Sequence, residues 1–97
     1  MDTGTKFTAL ERDYTLYFDN RAFRVAEKTM GHSLGTMQDS IGDVTLLLHA
    51  GLLRHQPQIP LEKVDEIVDE LGYEKIADLL GEAMAASPPL RKKTATV

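Results

Sequence analysis

Asp43-Val44-Thr45-Leu46-Leu47-Leu48-His49-Ala50-Gly51-Leu52-Leu53 is the stretch that decides how the rest of the chain is arranged. Its apolar side chains surround the helix instead of forming a stripe, so a helix here must be enclosed on several sides. It is either the central core helix or a buried interface. Asp43 is the expected N-cap. The apolar run is interrupted by Thr45 and His49 and is about half the length that a bilayer span needs, so no membrane helix is expected.

Beyond this helix, Arg54-His55-Gln56-Pro57-Gln58-Ile59-Pro60 forms a connector, because its two prolines lack amide donors and push the preceding residues towards extended geometry. Leu61, Val64, Ile67, Val68 and Leu71 then recur at the spacing of an amphipathic helix that Gly72 ends. Ile76, Leu79, Leu80, Ala83 and Met84 mark another, to about Ala86. Ser87-Pro88-Pro89 stops it, and the remainder has no pattern able to bury itself.

Towards the N-terminus, Phe7–Leu10 and Tyr14–Phe18 are aromatic and β-branched runs around Glu11-Arg12-Asp13, which reads as a hairpin with a three-residue connection. Asp19-Asn20 offers N-capping side chains to a helix carrying Ala22, Phe23, Ala26 and Met30, and Gly31 suits its left-handed end. Ser33 is placed to cap one or two further turns through Leu34, Met37 and Gln38. The expected fold is therefore mainly α in a small α+β chain: an N-terminal β-hairpin followed by four to five short helices. Residues 1–6 are expected to be a flexible N-terminus, 7–86 a single helical domain, and 87–97 a flexible basic tail.

A length of 97 residues, 42% of them hydrophobic and 27% charged, fits one domain with a modest core. The absence of cysteine removes disulfides, thiolate metal sites and cysteine nucleophiles. The segment Met1–Lys6 has neither the basic start nor the apolar stretch of a signal peptide, so the chain is expected to stay in the compartment that made it.

The net charge of −4 has the wrong sign for a protein that depends on neutralising phosphates. Residues 1–60 carry six basic and seven acidic side chains for −1, residues 61–86 two and eight for −6, and residues 87–97 three and none for +3. A helix-turn-helix reading of the helices joined at Gly72 fails on charge, since Glu74, Asp78 and Glu82 would face the phosphate backbone. No nucleic-acid partner is expected.

His32, His49 and His55 lack a helical ligand spacing, and no His-Glu-x-x-His or EF-hand pattern occurs, so no metal site is expected. His49 reads as a satisfied or rim histidine on a buried helix. His32, Ser33 and Asp39 lack the nucleophile-elbow context of a catalytic triad. The glycines form no phosphate-binding loop, so neither a catalytic residue nor a cofactor is expected. A convergent polar pocket cannot be assembled from these residues, and the chain is not expected to be an enzyme.

Glu62, Glu66 and Glu70 are spaced four apart, as are Asp65 and Asp69. Like charges at this spacing repel by a few tenths of a kcal/mol per pair, so the helix carries a local cost for a concentrated negative face. That face is either solvated or a docking face for a basic partner. Leu47, Leu48 and Leu52 are the apolar candidates for partner contact.

Taken in order, Tyr14-Thr15-Leu16-Tyr17-Phe18-Asp19-Asn20, a helix closed by Gly31-His32-Ser33-Leu34, an apolar helix ending Leu47-Leu48-His49-Ala50-Gly51-Leu52, and Pro60-Leu61-Glu62-Lys63-Val64 with a final helix after Leu71-Gly72 make up most of the chain. This succession resembles the small tail assembly chaperones of long-tailed phages, in the version found in gene transfer agents and related prophages. It departs at Pro60, where a Thr or Ser cap is expected, and over 35–42, which is richer in glycine. The resemblance implies a non-enzymatic protein of the bacterial host cytoplasm. Such a protein binds the tape measure protein and other tail proteins, keeps the tape measure protein soluble for tail tube assembly and is absent from the mature virion. The other classes are a head–tail connector or tail-completion component, and a small acidic adaptor. The excess of apolar helix surface also leads to an expected dimer or larger ring.

Overall fold

The computed structural model describes residues 4–33 and 40–88. An antiparallel hairpin of β1 (Thr5–Ala9) and β2 (Arg12–Leu16) leads into α1 (Asn20–Met30), α2 (Ile41–Leu52), α3 (Leu61–Leu71) and α4 (Tyr73–Ala85). The expected class, mainly α with an N-terminal hairpin, is the observed one, and of the four to five short helices expected four are present among the described residues. The expected short turn from Leu34 and the chain beyond Pro88 lie outside the described residues.

α2 sits at the centre and packs against β2, α1, α3 and α4. This is why its apolar residues point in all directions: Val44, Leu47, Leu48, Ala50, Gly51 and Leu52 are all buried. The helix starts earlier than its apolar run. Ser40 is the N-cap, its Oγ accepting the Asp43 amide at 3.1 Å, so Asp43 occupies the first turn instead of the cap.

The hairpin pairs Thr5 with Leu16 through Ala9 with Arg12, which leaves a two-residue turn of Leu10 and Glu11. Both have positive φ, 53° and 62°, as a type I′ turn requires. The expected three-residue connection is therefore shorter, and Arg12 and Asp13 belong to β2. Thr5 and Lys6 likewise lie in β1 and not in a flexible end, while Phe18 lies beyond β2. Phe7, Ala9, Tyr14 and Leu16 are buried, and Phe7 stacks on Tyr14 across the strands with centroids 5.6 Å apart. Thr8 and Asp13 stand on the opposite, polar face, where the Thr8 hydroxyl donates to Asp13 Oδ1 at 3.0 Å.

The outer edge of β2 is sealed from within. Gln56 Oε1 accepts the Thr15 amide at 2.9 Å, and its Nε2 donates to the Thr15 carbonyl at 3.0 Å and the Leu52 carbonyl at 2.6 Å. Next along the strand direction, the Tyr17 amide donates to the Gly51 carbonyl at 2.9 Å. The side-chain amide thus does for Thr15 what a third strand would do, which blocks the edge at that residue.

Asp19 caps α1 as expected, accepting the Ala22 amide at 2.8 Å, and Gly31 closes it in the left-handed conformation. Phe18 is fully buried and stacks on Phe23, centroids 5.3 Å apart, directly over Gly51. A Cβ at Gly51 would stand 2.5 Å from Phe18 Cζ and 2.7 Å from Leu16 Cδ1, so only glycine admits this crossing. Ser87 is buried, and its hydroxyl donates to the Phe18 carbonyl at 2.6 Å. The expected tail boundary therefore moves: Ser87 belongs to the folded unit.

α3 starts without a side-chain cap, in keeping with Pro60 where Thr or Ser was expected. Gly72, with φ 89°, is at once the last cap of α3 and the first of α4. Ile76, Leu79, Leu80 and Ala83 of α4 are buried, as are Val64 and Ile67 of α3. Leu61 is the exception to the predicted stripe, being 40% exposed.

Candidate functional site

The residues singled out for partner contact divide into two sets. Leu47 and Leu48 are 2% and 0% exposed and Leu52 is 0% exposed, so none of the three can meet a partner. They are core, because four elements close around α2. The carboxylates are the opposite case: Glu62, Asp65, Glu66, Asp69 and Glu70 are all exposed on the outer side of α3. The arrangement follows from the helix period, which buries Val64 and Ile67 and turns the acidic positions outwards.

These carboxylates are not equivalent. Glu70 Oε2 accepts the Leu10 amide at 3.0 Å and so holds the hairpin turn against α3. Glu66 Oε1 lies 3.3 Å from Lys63 Nζ, an exposed pair one turn apart that contributes little. Glu62, Asp65 and Asp69 form no hydrogen bond or ion pair among the described residues. The acidic face open to a partner is therefore Glu62, Asp65 and Asp69 with Glu66, and Glu70 has a structural task.

The histidines hold segments together. His49 Nε2 donates to the Ile59 carbonyl at 3.0 Å, tying the connector to α2, as its reading as a satisfied histidine expected. His32 Nε2 lies 3.0 Å from Asp43 Oδ2, which links the end of α1 to the first turn of α2. Asp39, the third member of the discarded triad, lies outside the described residues. Among the described residues no three His, Asp or Glu side chains converge as metal ligands, and no buried side-chain polar atom lacks a partner. No helix among them is long and apolar enough to cross a membrane.

One feature escaped the sequence reading. Arg21, Arg24 and Lys28 are exposed along one side of α1, at i, i+3 and i+7. The spacing was visible, but the regional charge sum hid it, because residues 1–60 balance to −1 from six basic and seven acidic side chains. Beside this stripe, a groove of about 310 Å³ runs between α1 and α2, with Ala22, Val25, Ala50 and Leu53 among its walls and Arg21 and Arg54 at its edge. Arg54 is committed: Nη1 lies 2.8 Å from Asp19 Oδ2, and the guanidinium stands 5.3 Å over the Tyr17 ring. No family profile, curated protein or solved structure matches this chain.

Proposed function

We propose that the chain is a tail assembly chaperone of a long-tailed phage or related prophage. In this reading it binds the tape measure protein in the host cytoplasm, keeps it soluble for tail tube assembly, and leaves before the particle is complete. The observation that carries the reading is where the motif residues meet. Phe18-Asp19-Asn20 and Ala50-Gly51-Leu52 are far apart in the chain, yet Phe18 lies on Gly51 and Asp19 binds the arginine that follows α2. Short motifs that build one joint are constrained together by the fold, which gives their order and spacing more weight than either motif has alone.

With Leu47, Leu48 and Leu52 enclosed, contact with the partner falls to exposed faces, and the acidic side of α3 supplies attraction towards a basic segment of it. The test is purification of the tagged chain from cells expressing the tail genes. The tape measure protein is expected to co-purify during assembly, and the chain to be missing from finished particles. Retention in finished particles at fixed stoichiometry would overturn the reading in favour of a head–tail connector or tail-completion component.

A further inference from the structure

The geometry points to a head-to-tail contact between copies of this chain, in which the acidic face of α3 on one copy lies along the α1–α2 groove of the next. The two surfaces match in sign and in spacing. Arg21, Arg24 and Lys28 stand at i, i+3 and i+7 on α1, and Glu62, Asp65 and Asp69 stand at i, i+3 and i+7 on α3. Either set spans about 10 Å at the helical rise, so the rows can lie in register.

None of these six side chains has a hydrogen bond or ion pair among the described residues. Both surfaces also carry apolar area. The groove is walled by Ala22, Val25, Ala50 and Leu53, and Leu61, 40% exposed, stands at the N-terminal end of the acidic face. A second copy is the occupant because the acidic helix the groove calls for is one this chain possesses.

The two surfaces lie on different helices, so the contact is heterologous. It closes into a ring or continues as a filament, and does not stop at a two-fold dimer. Exposed pairs contribute little each and are screened by salt, so association is weak and sensitive to ionic strength. The inference stands on the charge pattern and not on the tape measure reading. If both hold, a basic segment of that partner competes with α1 for the same carboxylates.

The experiment is sedimentation of the full chain over a wide concentration range at ~20 mM and ~500 mM salt, where the screening length falls severalfold. Association at low salt that weakens ~tenfold or more at high salt is expected. Two variants then test the surfaces: R21E/R24E/K28E, and E62K/D65K/D69K, each checked by circular dichroism for unchanged helicity. Each should be monomeric alone, and their mixture should associate, because exchanging both signs restores complementarity. If a reversed variant loses helicity, R21Q/R24Q/K28Q and E62Q/D65N/D69N replace the pair, and each must weaken self-association. A wild-type chain that stays monomeric at low salt, or association that survives the substitutions, overturns the inference. So does a monomer that binds polyglutamate, since the groove then takes an acidic partner other than this chain.

Discussion

Gly51 is the position where one methyl group matters most. Its helix crosses Leu16 and Phe18 so closely that a Cβ would meet Phe18 Cζ at 2.5 Å. Gly51→Ala is expected to destabilise by about 1–3 kcal/mol through overpacking, although alanine is the better helix former. Gly81, also inside a helix, is exposed with nothing within 4 Å of its would-be Cβ. Gly81→Ala should therefore stabilise by roughly 0.5–1 kcal/mol. Thermal unfolding of both variants checks the contrast, and shifts of the same sign would contradict the packing described. The glycine itself is legible within Ala50-Gly51-Leu52, but the need for it is not, because the side chains it accommodates come from β2 and the segment just after it, distant in sequence. Ser87 is similar: a serine before two prolines reads as a helix stop, and only the fold brings its hydroxyl to the Phe18 carbonyl.

Among the elements, α3 and α4 were the most legible, since a strict apolar period and a glycine joint leave few alternatives. The hairpin is legible but its turn is not, because Leu10-Glu11 has none of the Asn or Gly residues that usually mark positive φ. The turn is held from outside the hairpin, where the Leu10 amide donates to Glu70 of α3 and the Leu10 side chain packs against the core. The start of α2 is hidden for a related reason, as Ser40 precedes a turn with little apolar signal. Least legible was Gln56, an isolated polar side chain in a connector, which closes the β2 edge through Thr15. Gln56→Ala leaves that amide and carbonyl without their partner and is expected to cost about 1–3 kcal/mol. Hydrogen exchange gives a local reading: the Thr15 amide should lose protection more than the amides of α4, and equal loss would show that Gln56 acts only on global stability.

At the scale of the whole molecule, a small core is enclosed by helices whose outer faces differ in charge. α1 carries three basic side chains against one acidic, and α3 carries five acidic against one basic. The acidic half of that pattern was readable from composition, whereas the basic half vanished into a balanced regional sum. The candidate site was thus half legible: its carboxylates were named correctly as surface residues, while its leucines turned out to be the interior. Ile41, Leu61 and Tyr73 are the large apolar residues left exposed among the described residues, and attraction between a charged face and an oppositely charged partner is long-ranged and tunable by salt. The most direct measurement of the proposed role is light scattering as purified tape measure protein is diluted from denaturant, with and without this chain at equimolar concentration. Scattering suppressed by the chain, and restored in part by E62Q/D65N/E66Q/D69N, is the result expected of a chaperone working through the α3 face. Scattering that rises at the same rate with and without the chain would contradict it.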